Sequence, residues 1–128
     1  MLINNELTVD HKKLKTWQVA MELVRQVYLT TSKFPKQEMY GITSQMRRAV
    51  VSIPSNIAEG CARKGNKEIQ QYVHIALGSL AELETLVLLS YDLGFIPEFN
   101  QWASKITRLR RLLLGLRNFI KTNSKSLE

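Results

Sequence analysis

The chain has 128 residues, of which 45% are hydrophobic and 23% charged, a composition typical of one folded domain rather than a disordered tail. Its 18 basic side chains exceed its 11 acidic ones, and the net charge of +7 favours an anionic partner such as nucleic acid. The single cysteine, Cys61, excludes an internal disulfide framework and fits a reducing, cytoplasmic setting. We expect neither a signal peptide nor a membrane span, because the first residues lack an apolar core and the aliphatic runs are short.

The first of four segments with helical periodicity extends from about Asp10, a plausible N-cap, to about Ser32. Apolar side chains recur in it at steps of three and four, which predicts one face turned to a core. The predicted core positions are Leu14, Trp17, Met21, Val24 and Tyr28.

The second helix is predicted to begin at a Thr43 or Ser44 cap and to end near Gly60. Pro54 lies inside it, and two interpretations are open: a bent continuous helix, or a helix that stops near Ser52 and restarts. The apolar seam continues across the proline, which favours the continuous helix. That seam consists of Met46, Val50, Ile53 and Ile57.

The third helix is predicted to begin near Asn66 and to end at Asp92, and the fourth to have Pro97 in its first turn. The third becomes apolar on nearly all sides around residues 86–89, as expected of a central helix. Its seam is Ile69, Val73, Ala76, Leu80, Leu83 and Val87, and that of the fourth is Phe99, Trp102, Ile106, Leu109, Leu113, Leu116 and Ile120.

These elements predict an all-α fold, an antiparallel four-helix bundle over residues 10–122. A flexible segment is expected at 1–9 and a C-terminal tail at 123–128. Charge is uneven along the chain: residues 1–67 carry +6, residues 68–104 carry −5 and residues 105–128 carry +6. A polyanion is therefore expected at the fourth helix and at the turn between the second and third helices.

The turn of residues 60–67 resembles a phosphate-binding loop only superficially, because Asn66 occupies the lysine position and a helix precedes it. Nucleotide hydrolysis is therefore excluded. Arg63, Lys64 and Lys67, beside the start of the third helix, remain candidates for holding a phosphate group. The alternative is an ordinary solvated turn.

The fourth helix carries a basic ladder that fits sequence-tolerant, salt-dependent binding to a phosphate backbone. The alternatives are a solvated face, or pairing with the acidic third helix of a neighbouring subunit. Arg110, Arg117 and Lys121 form its central stripe, and Lys105, Arg108 and Arg111 flank it.

No pattern supports catalysis, a metal or a cofactor. His74 is five positions from Ser79, away from its helical face, and no carboxylate is followed by histidine at the third position as in di-iron bundles. A polar stripe on the second helix, with Ser79 and Glu82 on the third, would form hydrogen bonds between helices or subunits if buried. The stripe consists of Arg48, Ser52, Asn56, Glu59 and Arg63.

Beyond periodicity, the blocks FPxxExYGI from Phe34, RRAVVSIPSNIAEG from Arg47 and ALGSLAELE from Ala76 resemble the 23S rRNA intervening sequence proteins. The resemblance covers roughly residues 12–97 and includes the fourth helix only in its amphipathic character. It implies a four-helix bundle that assembles into a five-fold ring. The chain is also similar to the accessory variability proteins of diversity-generating retroelements, which associate with a reverse transcriptase and nucleic acid. On that pattern, the matching residues Arg48, Pro54, Asn56, Glu59, Ser79 and Glu82 are structural or interface positions.

We therefore expect a cytoplasmic, non-enzymatic, homo-oligomeric and pentameric bundle that binds RNA or DNA and no membrane. The alternative is an accessory subunit whose partner is a protein such as a reverse transcriptase. In the first case, charge reversal at Arg110, Arg111 and Arg117 is predicted to leave the oligomer intact and abolish binding.

Overall fold

The computed structural model describes residues 10–127, with side chains described through residue 122, and these residues form four α-helices and no strand. The predicted all-α fold is confirmed. Single 3₁₀ turns precede the first and second helices, at His11–Lys13 and Lys36–Glu38. The helices are α1 (Lys15–Thr31), α2 (Ile42–Cys61), α3 (Asn66–Asp92) and α4 (Asn100–Leu127).

Helix α1 begins later than predicted. Asp10 does act as a cap, since its Oδ1 accepts the Lys12 N–H at 3.1 Å, but the turn that it caps is the 3₁₀ turn. Leu14 then adopts an extended conformation, and α1 starts at Lys15. The His11 ring packs edge-on against Trp17, with centroids 5.2 Å apart, so a side-chain contact holds the preceding turn against α1.

The buried face of α1 was also predicted wrongly. The helical period was right but its phase was not: Trp17, Met21 and Val24 are only half-buried and Tyr28 is exposed. Apolar side chains cover a wide arc of α1, so two neighbouring faces have the same three-and-four spacing. The face that packs inward consists of Thr16, Val19, Ala20, Leu23, Val27 and Thr31.

Helix α2 is continuous through Pro54, as the apolar seam indicated, and all four predicted seam residues are buried. Its predicted cap was wrong, because Gly41 occupies the N-cap position and Thr43 lies buried within the first turn. The Ser44 hydroxyl donates back to the Gly41 carbonyl at 3.5 Å. Gly41 therefore precedes the helix without a side-chain cap, and the Thr43 side chain is buried in the interior instead.

Helix α3 begins at Asn66 as predicted, and its predicted seam is entirely buried. Helix α4 begins at Asn100 instead of including Pro97, because the Glu98 carboxylate accepts the Gln101 N–H at 3.1 Å and caps the helix at that point. The α4 seam is buried or half-buried throughout. Helix α4 continues past the expected boundary at residue 122 to Leu127, and the expected N-terminal segment 1–9 lies outside the described residues.

The helices pack as a bundle around one apolar core, in which α2 and α3 make the most extensive contact and α1 and α4 the least. Contacts along α2 and α3 run in opposite order, since Met46 meets Ser90 and Ser52 meets Ser79. Helix α1 is tied to α2 by the Arg47 guanidinium, whose Nε donates to Thr31 Oγ1 at 2.9 Å. Helix α1 thus contacts α2 more extensively than it contacts α4.

Within the described residues, α3 is long and apolar enough to cross a membrane by length and composition alone. Core helices of water-soluble proteins meet the same criterion. One face of α3 is buried against its neighbours in the bundle, so this finding is weak evidence for a span.

Candidate nucleic-acid interface

The predicted phosphate turn contains one arginine that is already neutralised. Arg63 Nη2 lies 2.6 Å from Glu59 Oε1 and donates to the Tyr72 hydroxyl at 3.0 Å, and its Nη1 lies 3.7 Å from Glu68 Oε1. The guanidinium also stacks over the Tyr72 ring, 5.2 Å from its centroid. The hydrogen bond to Glu59 is the main cause that raises the pKa of Arg63 above its ordinary value. Arg63 therefore fastens the end of α2 to the start of α3.

The other two cations of this turn, Lys64 and Lys67, are exposed. The two carboxylates that hold Arg63 lie in the same stretch of chain, so the local charge is nearly balanced. An anion approaching the turn meets two lysines and two glutamates. This region is a weaker polyanion site than the count of basic residues suggested.

A polar cluster joins α2 to α3 in the middle of the bundle. Asn56 Nδ2 donates to the Ser52 carbonyl at 2.7 Å and to Ser52 Oγ at 2.9 Å. Ser52 Oγ in turn lies 2.9 Å from Ser79 Oγ. These partly buried groups satisfy one another between the two helices, and Pro54 is buried beside them. Of the polar motif, Arg48, Glu59 and Glu82 are exposed.

The basic ladder of α4 divides into two sides. On the side facing α3, Arg110 Nη2 lies 2.6 Å from Glu84 Oε1, and both side chains are about one-third exposed. The expected alternative was pairing between subunits, but this pair forms within one chain. Arg117 contacts the amide oxygen of Asn118 at 3.2 Å. Arg110 is thus held by an internal carboxylate and is not free for an external phosphate.

On the other side of α4, three cations lie at steps of three residues: Lys105, Arg108 and Arg111. Arg108 and Arg111 are exposed, and no described carboxylate lies within 4.0 Å of either guanidinium. The Lys105 ammonium stands over the Trp102 ring, 5.9 Å from its centroid. Lys121 is exposed farther along the helix. These residues form the part of the ladder that can meet a polyanion.

The two histidines and the cysteine lie on three different elements of the described chain. His74 is exposed on α3, and His11 packs on Trp17. Burial raises the pKa of the Cys61 thiol to about 11, which leaves it protonated near neutral pH. No group of three or more His, Cys, Asp or Glu side chains in the described part of the chain is placed to hold a metal ion.

The sequence of most of the bundle matches one family. The family profile described as 23S rRNA-intervening sequence protein matches residues 12–115. The chain belongs to this family. The match to the 23S rRNA-intervening sequence proteins confirms the resemblance predicted from the sequence blocks and extends it into α4 as far as Gly115. No curated protein matches the chain significantly.

The family match includes Lys105, Arg108 and Arg111 but ends before Arg117 and Lys121. Sequence reasoning named all of these cations and missed how they divide. The ion pair between Arg110 and Glu84 joins residues of different helices, so no local spacing marks it. The pairing of Arg63 did have a local signal in the sequence, since Glu59 stands four residues before it.

Proposed function

We propose that this member of the 23S rRNA-intervening sequence proteins is an antiparallel four-helix bundle that forms a homo-oligomer, with five subunits, and binds RNA without catalysing a reaction. The phosphate backbone lies against the exposed cations of α4, and the affinity comes from charge rather than from reading bases. Repetition of the basic surface around the ring multiplies weak contacts from each subunit.

One observation carries this proposal: Arg108 and Arg111 project from α4 without a described acidic partner, whereas Arg63 and Arg110 are paired within the chain. An unpaired exposed guanidinium adjusts to phosphate oxygens and forms paired hydrogen bonds with them. The net charge of +7 adds a long-range attraction for any polyanion. RNA is favoured over DNA because the family description itself refers to 23S rRNA.

Assembly is supported by exposed apolar side chains around the end of α3. Leu88 is 42% exposed and Leu93 60%, and the segment before α2 adds Tyr40, which is 96% exposed. The contact between Met46 and Ser90 places the end of α3 beside the start of α2, so these side chains lie at one end of the bundle. Apolar surface of this extent is typical of contact between protein chains.

Fluorescence anisotropy of labelled structured RNA and labelled duplex DNA, titrated with the purified protein at several salt concentrations, tests the binding proposal. We expect the logarithm of the RNA affinity to fall linearly with the logarithm of salt concentration, with a slope that counts the phosphate contacts. If neither nucleic acid binds even at low salt, the proposal is wrong and the charge of α4 has another role.

Sedimentation equilibrium tests the assembly separately. The proposal predicts a particle of five 14.7 kDa chains at low micromolar concentration. A monomer at all concentrations would contradict the ring but would leave binding by a single bundle open to the anisotropy test.

A further inference from the structure

Two cavities open along the seam between α1 and α4, which is the least extensive contact between helices of the bundle. The larger has a volume of about 270 Å³ and lies near the start of α4, and the smaller has about 100 Å³ and lies farther along the seam. Gln26 of α1 and Lys105 of α4 line both cavities. The two therefore form one elongated depression between the helices.

The walls of the larger cavity combine a flat apolar surface with side-chain amides. Trp102 and Ile96, which are 9% and 4% exposed, supply buried apolar wall, and Leu29 lines the rim. Gln26 and Gln101 contribute amide groups that both donate and accept hydrogen bonds. Apolar walls with a few polar groups are typical of sites for small planar ligands, and a nucleobase also offers donors and acceptors on its edge.

Basic side chains follow the α4 side of the depression from the larger cavity toward the smaller one. Lys105 stands between the two cavities, and Arg108 lines the smaller one a helical turn farther along α4. Arg111 continues the same row on the outside. Two carboxylates also line the depression: Glu98 in the larger cavity, which caps α4 through the Gln101 N–H, and Glu22 in the smaller. Within the depression the two cations balance the two carboxylates, and Arg111 adds a third positive charge just outside it on α4.

We propose that the seam between α1 and α4 is a subsite for single-stranded RNA, in which one unstacked base enters the larger cavity while its flanking phosphates contact Lys105 and Arg108. This inference rests on the proposed RNA binding and adds the form of RNA that is recognised. Bases in a duplex are stacked and paired, so they cannot enter a cavity between two helices, whereas unpaired bases are free to turn out of a strand. Paired RNA still meets the outer cations and binds through them alone.

Trp102 gives a direct readout of the cavity. In the variant Trp17→Phe it is the remaining tryptophan of the chain, since the sequence contains 2. Titration with a single-stranded RNA 12-mer is expected to change Trp102 fluorescence saturably, with the dissociation constant that anisotropy gives for the same RNA. A blunt-ended RNA duplex of 12 base pairs, which has no unpaired base to enter the cavity, is expected to leave Trp102 fluorescence unchanged.

A matched pair of variants locates the subsite. Gln26→Glu adds a carboxylate to the depression with almost no change of shape, and Gln45→Glu makes the same substitution at an exposed position on α2. Gln26→Glu is expected to weaken binding of the single strand about tenfold and that of the duplex by less than about twofold, with Gln45→Glu like the parent protein. Circular dichroism tests whether both variants remain helical. Lys105→Gln provides a second probe of the same depression.

The outcomes separate the two proposals. If RNA binds by anisotropy but Trp102 does not respond, or if Gln26→Glu behaves like Gln45→Glu, the subsite is wrong and RNA binding through the outer cations stands. Absence of RNA binding in every assay would overturn both. If a hexaglutamate peptide produces the same Trp102 change and displaces the RNA, the depression accepts an acidic protein segment, and the single-strand assignment is overturned.

Discussion

The contact between α2 and α3 differs from the seam between α1 and α4 in two properties: how its charged and polar groups are paired, and how closely its helices pack. At the first, Ser52, Asn56 and Ser79 satisfy one another, Arg63 is held by Glu59, and a Cβ added at Gly60 would approach Tyr72 Cβ to 3.1 Å. At the second, cavities remain between the helices, and Arg108 lines one of them with no carboxylate of the described residues at ion-pair distance.

This difference shows that the number of basic residues in a segment is a poor guide to where a polyanion binds. Arg110 and Arg111 are neighbours in sequence, yet Arg110 is held by Glu84 and Arg111 faces outward. A paired cation must give up its internal partner before it meets a phosphate, and an unpaired one need not. We therefore assign to the contact between α2 and α3 a structural role, and we propose the open seam as the surface for RNA.

The largest predicted effect is loss of core packing beneath α3. Leu83 is fully buried, so Leu83→Ala is expected to lower the free energy of unfolding by about 2–5 kcal/mol. Leu29, at the rim of the open seam, is 69% exposed. Leu29→Ala is therefore expected to change the free energy of unfolding by less than about 0.5 kcal/mol. Urea unfolding followed by circular dichroism measures both values. Equal losses would remove the distinction between the two regions.

Glycine substitutions sharpen the same comparison. Gly60→Val is expected to lower the unfolding free energy by about 1–3 kcal/mol, because the added carbons meet Tyr72 across the helix contact. Gly115→Ala, where a Cβ meets no atom within 4 Å, is expected to raise it by about 0.5–1 kcal/mol through helix propensity. A tolerated valine at Gly60 in a thermal melt would show that α2 and α3 can separate without cost.

The smallest predicted effect on stability concerns the thiol of Cys61, the single cysteine of the sequence. Burial raises the pKa of Cys61 from 9.0 to about 11, so at pH 8 its thiolate fraction is about a hundredfold below that of the unfolded chain. Alkylation by iodoacetamide is expected to be slow in the folded protein and fast in urea. Because the folded state holds the proton more tightly, the stability contribution is complete below pH 9 and falls as pH rises from about 9 to about 11. Rapid alkylation of the folded protein at pH 8 would show that the end of α2 is more open than described.

Much of the fold was predictable because apolar residues recur without a break at three-and-four spacing along one face of each of α2, α3 and α4. Ile53, Leu80 and Leu109 belong to seams that the three-and-four spacing identified, and all are buried. The face of α1 was not predictable in the same way, since its apolar arc is wide and packing against both α2 and α4 decides its rotation. The starts of α1 and α4 were predicted wrongly for a related reason: Asp10 and Glu98 do cap, but neighbouring backbone geometry decides which turn they cap.

The sequence predicted which basic residues belong to the candidate site, but not which of them are paired with carboxylates. The sequence placed Arg110 in the central stripe of the ladder and Arg108 on its flank, but the partner that neutralises Arg110 lies on another helix. Gln26 escaped notice entirely, because a polar residue on a helix flank carries no signal until the opposite wall of its cavity is known. Contacts across helices, rather than composition, decide which charges are available.

The most direct test of the central claim compares two double variants of α4 by RNA anisotropy across salt. The account predicts that Arg108→Gln with Arg111→Gln weakens RNA binding about tenfold or more and reduces the salt slope by about two. It predicts that Arg110→Gln with Glu84→Gln, which removes the internal pair together, leaves affinity and slope within about twofold of the parent protein. Equal losses from the two variants would contradict the division between paired and unpaired cations.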